Sequence, residues 1–591
     1  MKRVALALAL ALGACGDEVA IVGPHGLNRC SVDADCREGT CDLTAHRCVA
    51  RARTEVFFRI VPPASRQGQG DLIATVTAPR ALRTGETLDL TLRAWRVVFG
   101  TVSAPVPNDP RMAEAPVAAT VTLAPADGPD LFPAVEAVAQ PTLLPAMRGQ
   151  TVGHTYAAAV PDGLFDVAVT PLSRHRATLP PQFLSRFNVR PDIVQQRLDV
   201  AYPADFTRWS GTVRSRSGAL VGGLAVRAVD PARNDLEVST LATTAAGEAA
   251  GAFSVAMAIG APQDWALRVA SNVNARGGLV LEVPRAVCAR LDASGAAVDL
   301  RLPTDLGLPR AAPDGGAPCA GCVRVTGTVE AGATTGLTRP LRNVTVTLRT
   351  RVALGDSPLA PESRAWFEDR VQTGGDGAFT AWLIPGDYEV TLEPAGDDFA
   401  NGRASLRVRD DAAEQMGQAF SVGPRLAVEG RVLTNDGRPV AGARVRAIPF
   451  AAAYLGHACL ADPTLAALAP RARADEAPSG VDGSYRLDVD PGLYRIVVEP
   501  PAGSGFATDL GREVCAASGM RSLDLVLESP VAVRGVVRDF AGRAVEGAQV
   551  EAAVRVRETG APGVSLRVAR AISGAGGAYT LLLPASTAPS P

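Results

Sequence analysis

Lysine is nearly absent from this chain, histidine and tryptophan each occur only five times, and no basic block appears anywhere. Each shortage excludes something. With a net charge of −2, a pI near 6.3 and arginines such as Arg342, Arg349 and Arg351 spaced singly through strand-like runs, there is no electrostatic footprint for a phosphate backbone, so nucleic acid is not an expected partner. Those arginines read as a solvated strand face. None of His25, His46, His154, His175 and His457 opens an H-x-x-E or H-E-x-x-H pattern that could hold catalytic zinc. The G-x-S-x-G nucleophile elbow and the G-x-x-x-x-G-K phosphate loop are missing too. The chain is therefore read as non-enzymatic, with no cofactor and no metal. Asp376, Asp482 and Asp490 sit at turn positions, where aspartate caps its own backbone; calcium binding is the alternative role for them.

What the chain has is recurrence. In "VDGSYRLDVDPGLYRIVVEP", residues 481–500, Tyr485, Leu487 and Val489 alternate with Arg486, Asp488 and Asp490, the period of two that marks a half-buried strand. Asp490, Pro491, Gly492 and Leu493 fit a type II turn, and Tyr494, Ile496 and Val498 then alternate with Arg495, Val497 and Glu499 up to Pro500. The pattern predicts a hairpin, repeated in "GDGAFTAWLIPGDYEVTLEP" (375–394) and more loosely in "GHTYAAAVPDGLFDVAVTP" (153–171). A second phrase, "VEGRVLTNDGRPVAGARVRAIP" (428–449), has counterparts at 209–231, 325–348 and 533–554, anchored on Gly211, Gly327, Gly430 and Gly535. The spacing of about one hundred residues is that of a compact domain. Units also close alike: "CARLDASGAAVDLRLP" (288–303) and "CAASGMRSLDLVLESP" (515–530) place Cys288 and Cys515 at one distance from the final proline. Helical period is confined to an insertion at 462–474. The chain is predicted to be all-β, a tandem array of Greek-key β-sandwich domains.

The run of G-x-V, a short turn, V-x-G-A-x-V, D-G-x-Y/F and P-G-x-Y resembles the carboxypeptidase regulatory-like domain, a transthyretin-like sandwich related to the starch-binding-like, carbohydrate-binding fold. The match is best over 430–530, good over 327–424, weaker over 211–303, where the Pro-Gly turn is lost, and weakest before Pro203. The resemblance implies a scaffold or binding role beside enzymes, receptors or adhesins, without chemistry of its own.

The amino terminus supplies an address. Lys2 and Arg3 precede an apolar run over 4–12, too short for the roughly 20 residues that cross a bilayer. Leu12, Gly13, Ala14 and Cys15 resemble a bacterial lipobox, which implies a lipidated Cys15; an ordinary signal peptide with Cys15 a free thiol is the alternative. Gly16, where aspartate would favour inner-membrane retention, points to the outer membrane. Cys30, Cys36, Cys41 and Cys48 fall in a stretch too short to bury a core, so two disulfides in one of three pairings are expected; a zinc site with His46 is the rival. Cys459 and Cys515 lie in one repeat and are expected to pair. Of the remaining Cys288, Cys319 and Cys322, the C-x-x-C pair is read as a structural bridge, with a redox dithiol as its alternative.

The domain reading is then a signal peptide at 1–14, a lipidated linker at 15–29, a disulfide-rich segment at 30–48, a divergent sandwich at 52–203, a repeat at 204–303, a linker at 304–322, repeats at 323–424 and 425–530, and an incomplete repeat at 531–591. Short links predict a rod of abutting units, with 304–322 as the hinge, reaching on the order of 150 Å from the membrane. The last unit ends before its returning strand; a truncated gene or an incomplete sequence is the expected reason, with strand donation by a partner the alternative. Trp382 falls on the outward phase of its strand and is the candidate ligand-binding residue. The expected function is a cell-surface lipoprotein scaffold for adhesion or protein contacts. Polysaccharide binding is the second reading, and an accessory module for a separately encoded peptidase or glycosidase is the third.

Overall fold

The computed structural model describes residues 39–42, 47–50 and, with interruptions in connecting segments, 55–584; the longest interruption is 450–472. The protein is all-β, a series of two-layer sandwich units in tandem. The expected lipidation site Cys15, the cysteines Cys30 and Cys36, and nearly all of the expected helical insertion lie outside the described residues. The strands Gly39–Asp42 and Arg47–Ala50 pair with Cys41 opposite Cys48. One α-helix, Arg285–Asp292, stands where a strand-like closing phrase was expected.

The Pro-Gly segments do not make hairpins. Ser484–Val489 pairs with Leu426–Thr434, whereas Gly492–Glu499 pairs with Arg444–Pro449 and Asp509–Ala516, so the chain leaves one sheet and enters the other. Ala378–Leu383 and Gly386–Glu393 are divided in the same way. Two further observations explain this. Gly163, Gly386 and Gly492 have φ of 141°, 156° and 159°, far from the roughly +80° of a type II turn, and a type II turn would splay hairpin strands in any case. Alternation fixed which side chains point inward, and both strands point at one core from opposite layers: Tyr485, Leu487, Val489, Tyr494, Ile496 and Val498 are at most 5 % exposed. The second unit crosses over without any Pro-Gly, since Ala252–Ala256 pairs with Arg208–Arg214 while Ala266–Ala270 pairs with Ala225–Asp230.

Each unit also carries one parallel pairing, between its first strand and its closing strand, and this explains the anchor glycines. A Cβ on Gly430 would lie 1.9 Å from the carbonyl oxygen of Leu523, and on Gly211 and Gly327 it would lie 2.0 Å and 2.3 Å from those of Val298 and Gln418. Only glycine admits a backbone that close. Gly100 faces Leu198 at 2.0 Å in the same way, so the divergent 96–202 unit shares the design. In the first and fourth units a tyrosine hydroxyl completes the corner, Tyr156 donating to the Leu198 carbonyl at 2.6 Å and Tyr485 to that of Leu523 at 2.7 Å, while Phe253 and Phe379 pack beside Gly211 and Gly327.

The last unit obeys the same rule with residues from the other end of the chain. The carbonyl beside Gly535 is that of Leu88, 1.8 Å from a Cβ placed there, and Tyr579 donates to it at 2.6 Å. Leu90–Thr91 pairs parallel with Val537–Arg538, and Glu55–Val61 lies antiparallel to Gln549–Val556 in the place of the missing returning strand. The expected 52–203 domain is corrected accordingly: residues 55–94 belong to the last unit, and 96–202 form the first. The unit at 531–583 is completed within the chain. Val56, Phe58, Ile60, Leu72, Leu88, Leu90 and Leu92, none more than 4 % exposed, enter its core, each worth roughly 1.5–3 kcal/mol.

The rod and its hinge are corrected by the same pairings. Because first and last units are joined through 55–94, the path from unit to unit closes on itself. Gly278–Pro284 of the second unit pairs with Arg364–Gln372 of the third, so one nine-stranded sheet and one core run through both. The 304–322 link is packed into that junction where it is described: Cys319 is 1 % exposed, Ser271 Oγ donates to the Gly307 carbonyl at 3.0 Å, and Phe367 closes on Gly307.

Candidate functional site

Trp382 lies on Ala378–Leu383, where Phe379, Ala381 and Leu383 face the core. As alternation requires, its side chain is on the outer phase, but it is half-buried and packs against the shared core of the second and third units. Its backbone amide donates to Asp369 Oδ2 at 3.0 Å.

The richer surface is on the shared sheet, where Trp366 stands opposite Val280 of the second unit and Arg351 of its own. Arg268 and Arg349 lie 5.7 Å and 5.8 Å from its ring centroid, within cation–π range. Each arginine is held by a carboxylate. Arg268 Nη2 donates to Glu282 at 2.6 Å, a pair about nine-tenths buried, and Arg349 Nε donates to Glu368 at 2.6 Å on a more open face. The result is a ridge of one indole flanked by two neutralised guanidiniums, crossing the junction of two units. It presents the partly exposed indole edge together with the open Arg349 guanidinium, while Arg268 is buried against Glu282 beneath; aromatic rings and arginines are enriched at contact surfaces. Sequence reading placed the arginines on a solvated face, and Arg342, Arg349 and Arg351 are indeed exposed. It could not find the ridge, because Trp366 and Arg268 come from units whose edge pairing leaves no periodic signal.

The turn carboxylates separate into two kinds. Asp376 Oδ1 accepts from the Ala378 amide at 3.0 Å, and Asp482 Oδ1 accepts from the Ser484 amide and hydroxyl at 3.1 Å and 2.6 Å, so both cap their own turns. The Ser484 hydroxyl and amide hold the Asp482 carboxyl below its ordinary range. Asp490 has a different role. Only 1 % exposed, it accepts from the Asn401 amide at 3.0 Å, the Arg473 amide at 2.9 Å, and Arg473 Nε and Nη2 at 3.0 Å and 2.8 Å. Asn401 belongs to the third unit, so Asp490 bolts the fourth unit to it. Burial pushes this carboxyl up, but the Arg473 and Asn401 hydrogen bonds outweigh burial and leave it below the usual carboxylate range. No cluster of His, Cys, Asp or Glu able to hold a metal occurs among the described residues.

Cys319 and Cys322 are disulfide-bonded, and Cys288 is a free, buried thiol. Cys515 is bonded as well, while its expected partner Cys459 lies outside the described residues. The matched spacing of Cys288 and Cys515 from their closing prolines is therefore not structural equivalence, since Cys288 sits on the helix and Cys515 on Asp509–Ala516. Burial pushes the Cys288 thiol up to about 12.

No family model and no curated protein matches the chain. Solved structures that it is similar to include a streptococcal ancillary pilin at 10% identity, covering 55% of this chain and 99% of that one with a TM-score of 0.22. GBS52, the minor pilin of Streptococcus agalactiae, matches at 13% identity over 35% of this chain and 96% of its own, TM-score 0.21. The Bacillus anthracis TIE protein matches at 8% identity over 73% and 74%, TM-score 0.15. Likenesses this distant carry no argument about this chain.

Proposed function

We propose that the chain is a non-enzymatic envelope scaffold, built from units of the carboxypeptidase regulatory-like kind, that presents sheet faces for contacts with surface proteins. The observation that carries this reading is the nine-stranded sheet shared by the second and third units, which turns two sandwiches into one rigid body with a tryptophan–arginine ridge across its seam. A scaffold needs that rigidity, because a contact surface spanning two units keeps its geometry only if they do not shift. The sequence supports tethering through a lipidated Cys15 at the outer membrane, and among the described residues no helix is long and apolar enough to cross a membrane.

The intact mass of protein extracted from membranes tests the tether. A diacyl or triacyl increment on Cys15, lost with the membrane association in Cys15→Ser, is expected; an unmodified Cys15 refutes it. The contact surface is tested by cross-linking on intact cells: Trp366→Ala with Arg349→Ala is expected to lose protein adducts that the wild type forms. Adducts unchanged in number and identity would remove the ridge from the proposal.

A further inference from the structure

The segment 55–94 is bound to the last unit far more extensively than to the unit that follows it in sequence. Arg93 Nη1 and Asp162 Oδ2, 3.3 Å apart, join it to the first unit. Against the last unit it runs from Val56 opposite Val554 to Val61 opposite Gln549, with Arg59 and Glu551 paired at 3.1 Å on the same strands. The Val536 amide donates to Asp89 Oδ1 at 3.0 Å, and Arg66 reaches the buried Asp539 at 3.5 Å. The core that takes up its apolar side chains holds no residue of 96–202 among the described residues. Everything that elsewhere belongs to a unit's own returning and closing strands is here supplied from more than four hundred residues away, so the last unit has in effect a peptide-binding groove.

We infer that residues 531–583 form a strand-accepting receptor whose ligand is the chain's own segment 55–94, a non-covalent clasp that holds without its peptide link to the first unit. Recognition combines strand addition along Gln549–Val556 with insertion of alternate apolar side chains, the usual division between backbone affinity and side-chain specificity. Synthesis proceeds from the amino terminus, so segment 55–94 is made before the receptor it pairs with.

The test uses the full chain. In Arg59→Cys/Glu551→Cys, mild oxidation followed by peptide mapping is expected to find position 59 cross-linked to position 551 within one chain of monomer mass. A link between two chains would overturn the intrachain clasp in favour of strand exchange between copies, and no link would overturn the register. In a second variant, a protease site is inserted between Ala94 and Trp95 and the folded protein is cut. The segment is expected to stay in the main size-exclusion peak, to leave it in denaturant, and to be lost without denaturant when Gly535→Ala is added. Release of the unmodified segment in native buffer, or its retention in Gly535→Ala, overturns the inference. The cross-link decides the matter should the insertion prevent folding.

Discussion

Replacing Asp490 with alanine removes the buried one of the two carboxylates that face Arg425 and Arg473 at the junction of the third and fourth units, leaving both guanidiniums only the exposed Asp397. Arg473 loses its bidentate partner, and Arg425, whose side chain is 4 % exposed and whose Nε lies 4.0 Å from Asp490, is left with Asp397 at 3.6 Å, itself 84 % exposed. Breaking a buried ion pair by deleting one partner costs about 3–5 kcal/mol. Because Arg473 keeps 26 % exposure and can be rehydrated, the lower end of that range, about 3 kcal/mol, is expected here. Asp490→Asn keeps one acceptor oxygen, which can still take the Asn401 amide, but loses the charge and sets its NH2 against the Arg473 donors, so a cost of about 1.5–3 kcal/mol is expected. The readout is local, as befits a chain of several units in which global unfolding is not two-state. Hydrogen exchange at the Asn401 amide, which donates to Asp490, should quicken by about two orders of magnitude in the alanine variant, at 1.4 kcal/mol per tenfold. The pH dependence has a definite sign. The folded carboxyl lies below its unfolded value, so its stabilisation is complete above that unfolded value, near 3.9, and is lost as pH falls through the folded value. Corrected for intrinsic rate, protection of Asn401 should be flat at neutral pH and fall only in strongly acidic solution, and Asp490→Asn should abolish that fall. A change of less than about tenfold in Asp490→Ala would refute the bolt.

Other perturbations follow from close approach and burial. Gly430→Ala forces a Cβ to 1.9 Å from the Leu523 carbonyl and should destabilise the fourth unit by more than about 3 kcal/mol, whereas Gly423→Ala, which meets nothing within 4 Å, should be neutral or slightly stabilising in the same thermal scan. Cys288, buried and pushed up to about 12, should resist maleimide in native buffer at pH 7 and react only after unfolding; native labelling would contradict its burial. Removing the Cys319–Cys322 bridge with paired serines should cost about 2 kcal/mol from the short loop it closes, seen as faster exchange around Gly307. In affinity electrophoresis against polysaccharides, wild type and Trp382→Ala should migrate alike, because that indole is partly buried against the core; retardation lost only in the variant would revive the carbohydrate reading.

Much of the fold was legible because alternation reports faces. The inward sets around Tyr485, Phe379 and Tyr494 are buried as their phase requires, and the anchor glycines marked real crowding. What alternation cannot report is which strand lies alongside. The expected hairpins are inter-sheet crossings for that reason, and Val497, on the outward phase, is 2 % exposed because the last unit's core covers it. The completion of the last unit was written in the sequence without being periodic. "TLDLTL" at 87–92 echoes "SLDLVL" at 522–527, and "FFRIVPPA" at 57–64 echoes "YRIVVEPPA" at 494–502. Two orphan phrases at one end match two absences at the other, a signal that a search for contiguous repeats passes over. Arg473 and Asp490 could not be foreseen, since an aspartate before proline looks the same whether it caps its own turn or reaches a neighbouring unit.

Closure of the array changes what a tether at the amino terminus would hold. In a rod, a lipid on Cys15 would carry the first unit, and each further unit would stand farther from the membrane. Here the first described strand of the body, Glu55–Val61, is already part of the last unit, flanked by Gln549–Val556 on one edge and by Thr75–Val76 and Arg80–Ala81 on the other. If Cys15 carries the proposed lipid, tension on that tether would be borne first by the pairing of the clasp with its receptor. It would pass onward by two covalent routes, through the peptide at residue 95 into the first unit and through the peptide at residues 530–531 into the fourth, the latter supplemented by Arg567 and Glu499, 3.0 Å apart. Load divided between two paths lowers the stress on each junction, and the bolt at Asp490 and the shared sheet lie on opposite arms of the circuit as seen from the clasp. Were the chain tethered at Cys15, a closed array would resist extraction better than an open rod of the same units, and would reach less far.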